Sequence, residues 1–314
     1  MAKYLVTGGA GFIGCNLARY ILDKGHDVVV LDNFATGKRE NLTEIAEKID
    51  LIEGDIRDRD IVDRAIDGCA AIFHEAALGS VPRSMEDPAT SHDVNVNGTV
   101  TILDAARAAG VKRVVFAASS SAYGERPESP KHEGMAPLPI SPYAANKVSC
   151  EAYMQAYAAG YGMETVCLRY FNVFGPHQDP EGAYAAVIPA FVSRLLAGQA
   201  PVVYGDGEQS RDFCYIENVC NANWLAANAP PETCSGKVMN IACNAKTSLN
   251  EILALLKELL GSDIEATYED ERLGDVKHSL ADVSLAGEAI GYEPQIFFDE
   301  GLRKSIDWYR VNLG

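Results

Sequence analysis

Tyr143 and Lys147 stand four residues apart in the segment SPYAANK, behind Ser141 and Pro142. Serine and proline are favoured at the cap and first turn of a helix, so the tyrosine opens a helix and the lysine follows one turn later on the same face. A free phenol, with a pKa near ~10, is a poor base at neutral pH. An ammonium beside it favours the phenolate, which makes the pair a candidate general base. A solvated helix face carries the same two residue types by chance, so the pair needs a third group. Ser119 is one: it ends the apolar run KRVVFAAS, with Ser120 and Ser121 behind it. A hydroxyl there can share or pass a substrate proton with Tyr143, and the two following serines are alternates for that work.

The first eleven residues after the opening MAK, YLVTGGAGFIG, put Gly8, Gly11 and Gly14 directly after an apolar strand. Glycine at the turn relieves strain, the second lets the backbone approach a pyrophosphate, and the third lets helix pack closely on strand. The helix N-terminus then offers unsatisfied N–H groups to phosphate. The spacing is G-x-x-G-x-x-G, and a glycine-rich turn alone is a weak signal. Asp32 strengthens it: it ends the second apolar run and can accept hydrogen bonds from an adenosine ribose while repelling a 2′-phosphate, which favours NAD over NADP. Asp55 and Ile56, in GDIRD, are expected to flank the adenine, although Asp55 suits a helix cap equally well. With NAD present, Lys147 can also hold the nicotinamide ribose, and the phenol stands beside a hydride acceptor.

These residues require a particular scaffold. Apolar runs at 3–7, 27–32, 50–54, 70–75, 112–119 and 165–171 alternate with helix-period stretches at 12–24, 57–66, 94–109 and 143–161. That alternation predicts a doubly wound α/β fold with a parallel sheet covered on both faces. Ser119 then falls at the carboxyl edge, where such sheets bind ligands. Beyond residue 171 the pattern loosens into helices at 189–198, 217–229, 248–260 and 299–312 and short strands at 202–204 and 237–242. We expect a dinucleotide-binding domain over 1–170 and a smaller α/β substrate domain over 171–314, with part of 201–245 returning to the first sheet.

The chain has 314 residues, 47% hydrophobic and 23% charged, as expected for a globular protein, with a net charge of −17. That charge argues against nucleic acid or an anionic membrane as partner, because both demand a basic face. The eight cysteines form no C-x-x-C pair and sit mostly in apolar runs, so they read as small hydrophobes and no metal site is expected. No apolar stretch is long enough to span a bilayer and no signal sequence is visible, so a cytoplasmic address is expected.

TGGAGFIG, LDNFATG, GDIRD, HEAALGSVPRS, SSSAYG, SPYAANK, RYFNVFGP, GAYAAVIP, GDGEQSRDFCYIENV and GDVKHSLAD together cover nearly the whole chain. Jointly they resemble the extended short-chain dehydrogenase/reductases, specifically the nucleotide-sugar 4-epimerases, and within them the branch acting on UDP-N-acetylglucosamine and UDP-N-acetylgalactosamine. The resemblance implies a Rossmann fold with tightly bound NAD. Tyr143 takes the 4-hydroxyl proton, the C4 hydride passes to NAD, and the 4-keto sugar turns over before the hydride returns to its other face. It also puts Phe12, Ile13, Asn33, Thr36, Gly37, Ala76, Ala77, Asn95 and Tyr170 on the cofactor.

For the UDP-hexose, the resemblance implies Asn172 on the sugar or its phosphate, Arg211 and Arg272 as a pyrophosphate clamp, and Ala186, Val187 and Tyr204 around the uridine. Gly79, Ser119, Asn172, Gln178, Ala186 and Ser279 would form the sugar box, with Ser80 and Ser121 beside it. Glucose-restricted bacterial relatives carry a tyrosine where this chain has Ser279 and a lysine near Gly79. The small residues here leave room for an N-acetyl group, and unacetylated sugars are expected to fit too. Glu75 stands where many relatives have a neutral side chain. It either alters NAD affinity or points to solvent.

Family members pair the helices at 94–109 and 143–161 across a two-fold axis, so a homodimer with a four-helix bundle is expected. The competing readings are a UDP-glucose 4-epimerase without N-acetyl preference, a nucleotide-sugar 4,6-dehydratase and a non-catalytic NAD sensor. A dehydratase wants an acid and a base where Ser120 and Ser121 stand.

Overall fold

The structure is a computed structural model and describes residues 1–179, 187–270 and 279–313. Its centre is a sheet of seven strands: β1 (Lys3–Thr7), β2 (Asp27–Asp32), β3 (Ile49–Glu53), β4 (Ala71–His74), β5 (Arg113–Ser119), β6 (Glu164–Tyr170) and, far along the chain, the strand Lys237–Ile241. All neighbours are parallel, in the order Lys237–Ile241, β6, β5, β4, β1, β2, β3. The strand order therefore reverses between β1 and β4, and the crevice outside their carboxyl ends is the ligand position of a doubly wound sheet.

Alternation along each strand feeds two cores. Val6, Val30, Phe73 and Val115 face the helices Phe12–Asp23 and Ile216–Asn228. Leu5, Leu31, Ile72 and Phe116 face the helices Arg59–Ile66, Gly98–Ala109 and Pro142–Tyr161. Burial on both faces is why these strands read as unbroken apolar runs. All eight cysteines are buried with free thiols.

In the first half of the chain two helix starts differ from the sequence reading by two residues or more. Helix Arg59–Ile66 begins after Asp58, whose carboxylate accepts the N–H groups of Asp60 and Ile61, so Arg57 stays outside it. The stretch expected from residue 94 is helical from Pro88, because Asp87 caps that proline-led turn through the Thr90 N–H. It passes through one π turn at Asp93–Asn97 before continuing as Gly98–Ala109. Polar residues in the first turns hide that start from a hydrophobic period.

The C-terminal half builds on three two-stranded ladders: Val173–Phe174 with Cys214–Tyr215, Ser210–Arg211 with Thr247–Ser248, and Val202–Tyr204 with Thr267–Glu269. Helix Leu249–Leu260 opens on a capping box of Ser248 and Glu251. Among the described residues no helix is long and apolar enough to cross a membrane.

Candidate active site

The first turn is built for close approach. Gly8 has φ +68°, and a Cβ there would lie 2.7 Å from the Ala76 backbone, while one on Gly14 would run into the Gly8 carbonyl oxygen. Helix Phe12–Asp23 has Gly11 as its cap, no side chain capping it and no acidic residue in its first turn. Its N-terminal N–H groups therefore face the crevice, where a phosphate can take them. This cradle fits a dinucleotide pyrophosphate.

The crevice is a cleft of about 870 Å³. Gly8, Gly11, Phe12, Ile13 and Gly14 line one wall, and Asp32, Asn33, Thr36 and Ile56 line one end. Ala76, Ala77, Gly79 and Ser80 follow β4 along the middle, and Tyr143, Lys147 and Tyr170 line the other end. Asp32 is fixed by the N–H groups of Ala10 at 2.9 Å and Phe34 at 2.7 Å, the second closing a turn in which Phe34 has φ +56°. Gly37 stands behind it, since a Cβ there would come within 3.0 Å of Asp32 Oδ1.

Asp55 is occupied otherwise. Its carboxylate takes Arg57 through Nε at 2.9 Å and Nη2 at 2.7 Å, and Asn33 Nδ2 at 3.1 Å. The guanidinium holds its pKa down at about 2. Arg57, not Asp55, faces the cleft.

Under the middle of the cleft runs a directed hydrogen-bond chain. Thr99 Oγ1 donates to the Asn95 carbonyl oxygen at 2.6 Å, so it must accept from His74 Nε2 at 3.0 Å. His74 Nδ1 is then an acceptor, and Thr7 Oγ1 donates to it at 2.7 Å while accepting the Ala76 N–H at 3.2 Å. The imidazole is neutral, protonated on Nε2, and burial drives its pKa down to about 3. Asn95 is engaged at both ends of its amide: its Oδ1 accepts the Leu78 N–H at 2.8 Å and its Nδ2 donates to the Leu78 carbonyl at 3.2 Å. It holds the cleft-lining loop from behind, at a π turn of the kind that recurs at functional sites.

At the far end, Ser141 caps helix Pro142–Tyr161 through the Ala144 N–H, and Ser84 Oγ accepts the Tyr143 N–H at 3.0 Å. Lys147 is 3% exposed and donates to the Ala117 carbonyl at 2.6 Å. Ser119 Oγ accepts both the Ser121 N–H at 3.2 Å and the Ser121 hydroxyl at 2.9 Å. Ser120 opens the turn that follows β5.

A second cavity, about 320 Å³, opens beside Asn172, Gln178, Val187, Tyr204 and Arg211. Apolar walls of Phe174, Ile188, Phe191 and Phe213 suit a flat ring, and Arg211 supplies charge. Asn172 has φ +27°, a conformation held in place by its Nδ2 bond to the Asp212 carbonyl. Backbone outliers of this kind cluster where ligands bind. Ser279 is tied to the same region through its N–H on the Ser210 carbonyl at 3.0 Å. Ala186 and Arg272 lie outside the described residues. Among the described residues no group of His, Cys, Asp or Glu is arranged to hold a metal ion.

Arg57 and Arg83 line the cleft without having been anticipated. Arg83 sits on the six-residue helix Val81–Glu86, too short for a hydrophobic period. The Ser80–Val81–Pro82 start, with a capping serine and an early proline, is the signal that marks it.

The sequence matches the NAD dependent epimerase/dehydratase family over residues 4–242. A UDP-N-acetylglucosamine 4-epimerase from Methanobrevibacter ruminantium, solved in complex with UDP-N-acetylmuramic acid, is 40% identical with a TM-score of 0.93, the match covering 99% of this chain and 98% of that one. The UDP-glucose 4-epimerase of Thermus thermophilus, solved with NAD, is 36% identical with a TM-score of 0.88 over 99% of each chain. A UDP-glucose 4-epimerase of Mycolicibacterium smegmatis is 38% identical over 98% of each chain. With the glycine turn, Asp32 and the Tyr143–Lys147 pair gathered on one cleft, this chain belongs to the NAD dependent epimerase/dehydratase family.

Proposed function

We propose that this chain, a UDP-sugar 4-epimerase with NAD as its cofactor, interconverts UDP-N-acetylglucosamine and UDP-N-acetylgalactosamine. The observation that carries the N-acetyl assignment is the room at Gly79. It lines the cleft that holds Tyr143, and a Cβ built on it would meet no atom within 4 Å. Ser279 adds a second short side chain. A box that accepts the acetamido group also admits a hydroxyl, so UDP-glucose and UDP-galactose are slower or comparable second substrates. The 40% identity to a UDP-N-acetylglucosamine 4-epimerase supports the same reading.

In the mechanism, Tyr143 is the base that takes the 4-hydroxyl proton and the acid that returns it. The Lys147 ammonium, anchored on Ala117, places a positive charge beside the phenol while the proton moves. Ser119, at the carboxyl end of β5, is the serine that assists it. Its oxygen already accepts two hydrogen bonds from Ser121, so its own proton is left to donate to the sugar oxygen. Bound NAD supplies the hydride acceptor for C4 and then the donor. Gly8, Gly11 and Gly14 with Asp32 hold the dinucleotide, and Arg211, with Arg272, holds the sugar-nucleotide pyrophosphate through guanidinium forks.

The experiment is incubation with UDP-N-acetylglucosamine and, separately, UDP-glucose, followed by separation of the sugar nucleotides. Formation of UDP-N-acetylgalactosamine is expected. Conversion of UDP-glucose alone would favour the runner-up, a UDP-glucose 4-epimerase, the name carried by two of the relatives above. A water-elimination product would point to a dehydratase, which Ser120 and Ser121 argue against because neither is an acid–base pair.

A homodimer through helices Gly98–Ala109 and Pro142–Tyr161 fits the outer face of the second helix. Tyr153 and Tyr161 there are 42% and 58% exposed. The two helices are already tied together by the Tyr157 hydroxyl on Asp104 at 2.8 Å. Sedimentation should give a dimer for the native chain and a monomer for Tyr153→Glu.

A further inference from the structure

Glu75 directly follows β4 and lines the cleft, and its carboxyl is buried rather than pointing to solvent. Its Oε1 accepts the Tyr170 hydroxyl at 3.0 Å. That hydroxyl accepts Asn223 Nδ2 at 2.7 Å, so its one proton is committed to the carboxyl. The second oxygen, Oε2, is buried and has no hydrogen-bond partner among the described residues.

The position along the cleft follows from the sheet. Glu75, Lys147 on the Ala117 carbonyl and Tyr170 belong to the β4, β5 and β6 side, with Tyr143. Asp32 and Arg57 belong to the β2 and β3 side. A dinucleotide lying with its adenosine on Asp32 therefore brings its nicotinamide half to Glu75.

A buried carboxyl with one orphaned oxygen is costly unless something in the cleft compensates it. Burial pushes the Glu75 pKa up to about 7, opposed by the Tyr170 hydrogen bond and by Lys147. The titratable groups that face it are Tyr170 on β6, Lys147 on helix Pro142–Tyr161 and Cys220 on helix Ile216–Asn228. Only Lys147 among them brings a positive charge, and its ammonium is already bonded to Ala117.

We propose that Glu75 is a positioning residue for the cofactor's charge, its carboxylate facing the nicotinamide half of NAD and favouring the oxidised, cationic ring over the reduced, neutral one. The attraction exists in one redox state and disappears in the other, because the added hydride neutralises the ring. Nothing is transferred to or from Glu75. A 4-epimerase starts and ends each turnover with oxidised cofactor, and a carboxylate there keeps the resting state oxidised and speeds return of the hydride.

The test is a redox titration of the bound cofactor in the holoenzyme, with no sugar nucleotide present, so its outcome is independent of the substrate assignment. A soluble dye couple sets the poise, and the near-ultraviolet band of the dihydronicotinamide reads the reduced fraction. In Glu75→Gln the reduced-to-oxidised ratio at a fixed poise should rise by about a hundredfold to a thousandfold, the size expected for loss of one unit charge about 4–6 Å away at an effective dielectric of ~20. Glu75→Asp, which keeps the charge, should stay near the native ratio. An unchanged ratio in Glu75→Gln, or an equal shift in Glu75→Asp, overturns the proposal. Should Glu75→Gln fail to fold, Tyr170→Phe makes the same test. It removes the hydroxyl that favours the carboxylate, so it must shift the ratio in the same direction, and no shift overturns the proposal.

Discussion

Lys147 Nζ lies 5.9 Å from the centre of the Tyr143 ring while donating a 2.6 Å hydrogen bond to the Ala117 carbonyl. The ammonium is thus held by β5, not by the helix that carries it. Strand and helix together fix the distance between cation and phenol, which a solvated helix face would leave to a flexible side chain. The 4.7 Å approach of the same ammonium to the Phe116 ring walls it off further from water.

Removing the phenol should remove the chemistry and leave the cofactor. Tyr143→Phe is expected to lose about 10²–10⁴ of turnover, the usual contribution of a general acid–base group, with NAD content unchanged. Lys147→Met should lose a similar factor, because the phenol loses the cation held beside it. Cofactor content by absorbance and the rate of UDP-sugar conversion check both. Full activity in Tyr143→Phe would remove that residue from the mechanism.

His74 makes acid stability a readout of the chain beneath the cleft. Its pKa is about 3 in the folded protein, against an ordinary value of 6.5. As pH falls through 6.5 the unfolded chain takes a proton that the folded chain refuses, so stability is lost progressively down to about pH 3. The loss approaches ~1.4 kcal/mol per pH unit inside that window. Glu75 and Asp212, raised by burial to about 7 and about 6, act in the opposite sense, since the folded state holds their protons more firmly. The comparison that isolates His74 is therefore native chain against His74→Asn, by denaturant unfolding at several pH values. The native chain should be the more stable above pH ~6.5 and lose that advantage on acidification. A pH-independent difference would mean that folding leaves the proton affinity of the imidazole unchanged.

Arg169 and Glu151 tie the catalytic helix to β6 by a buried two-pronged ion pair, Nε to Oε1 at 2.8 Å and Nη2 to Oε2 at 2.7 Å. They are 3% and 4% exposed, and the guanidinium lies 4.7 Å from the Tyr123 ring centre. Glu151→Ala should lower unfolding free energy by about 3–5 kcal/mol, because it strands a buried guanidinium. Removing both charges, as in Glu151→Leu with Arg169→Met, should recover much of that loss. Equal losses in the single and double variants would show that packing, not charge, is what the pair contributes.

The parts of the site that were legible in the sequence are those set by neighbours along the chain. The glycine turn declares itself because close approach permits no side chain there, and Tyr143 and Lys147 because one helical turn fixes their spacing. The strand 237–241 was visible as an apolar run, but only the fold supplies its partner, β6. What stayed hidden depends on contacts between distant segments. Asn95 is expected on the cofactor only through the resemblance, and its hold on Leu78 by both ends of its amide is visible only in the fold. Asp55 is expected beside the adenine, and its ion pair with Arg57, which is bonded at its other edge to Asp93, is visible only in the fold. The direction of Glu75 depends on Tyr170, 95 residues away. No local pattern carries such information.

Ser279 gives the substrate assignment its sharpest test. Its backbone is fixed by the Ser210 carbonyl, one residue before Arg211, so its side chain cannot drift far from the wall that carries Arg211. A tyrosine at that position adds a ring where the proposal needs space for an acetamido group, and its hydroxyl brings a polar atom besides. Ser279→Tyr should therefore depress conversion of UDP-N-acetylglucosamine by about 10–200-fold, the range over which pocket size discriminates, and leave UDP-glucose conversion within a few-fold of native. Initial rates on both sugars, each corrected for NAD content, measure the ratio. Equal losses on the two sugars would mean that residue 279 acts on the pyrophosphate clamp or on folding, and would leave Gly79 as the sole support for a roomy sugar box.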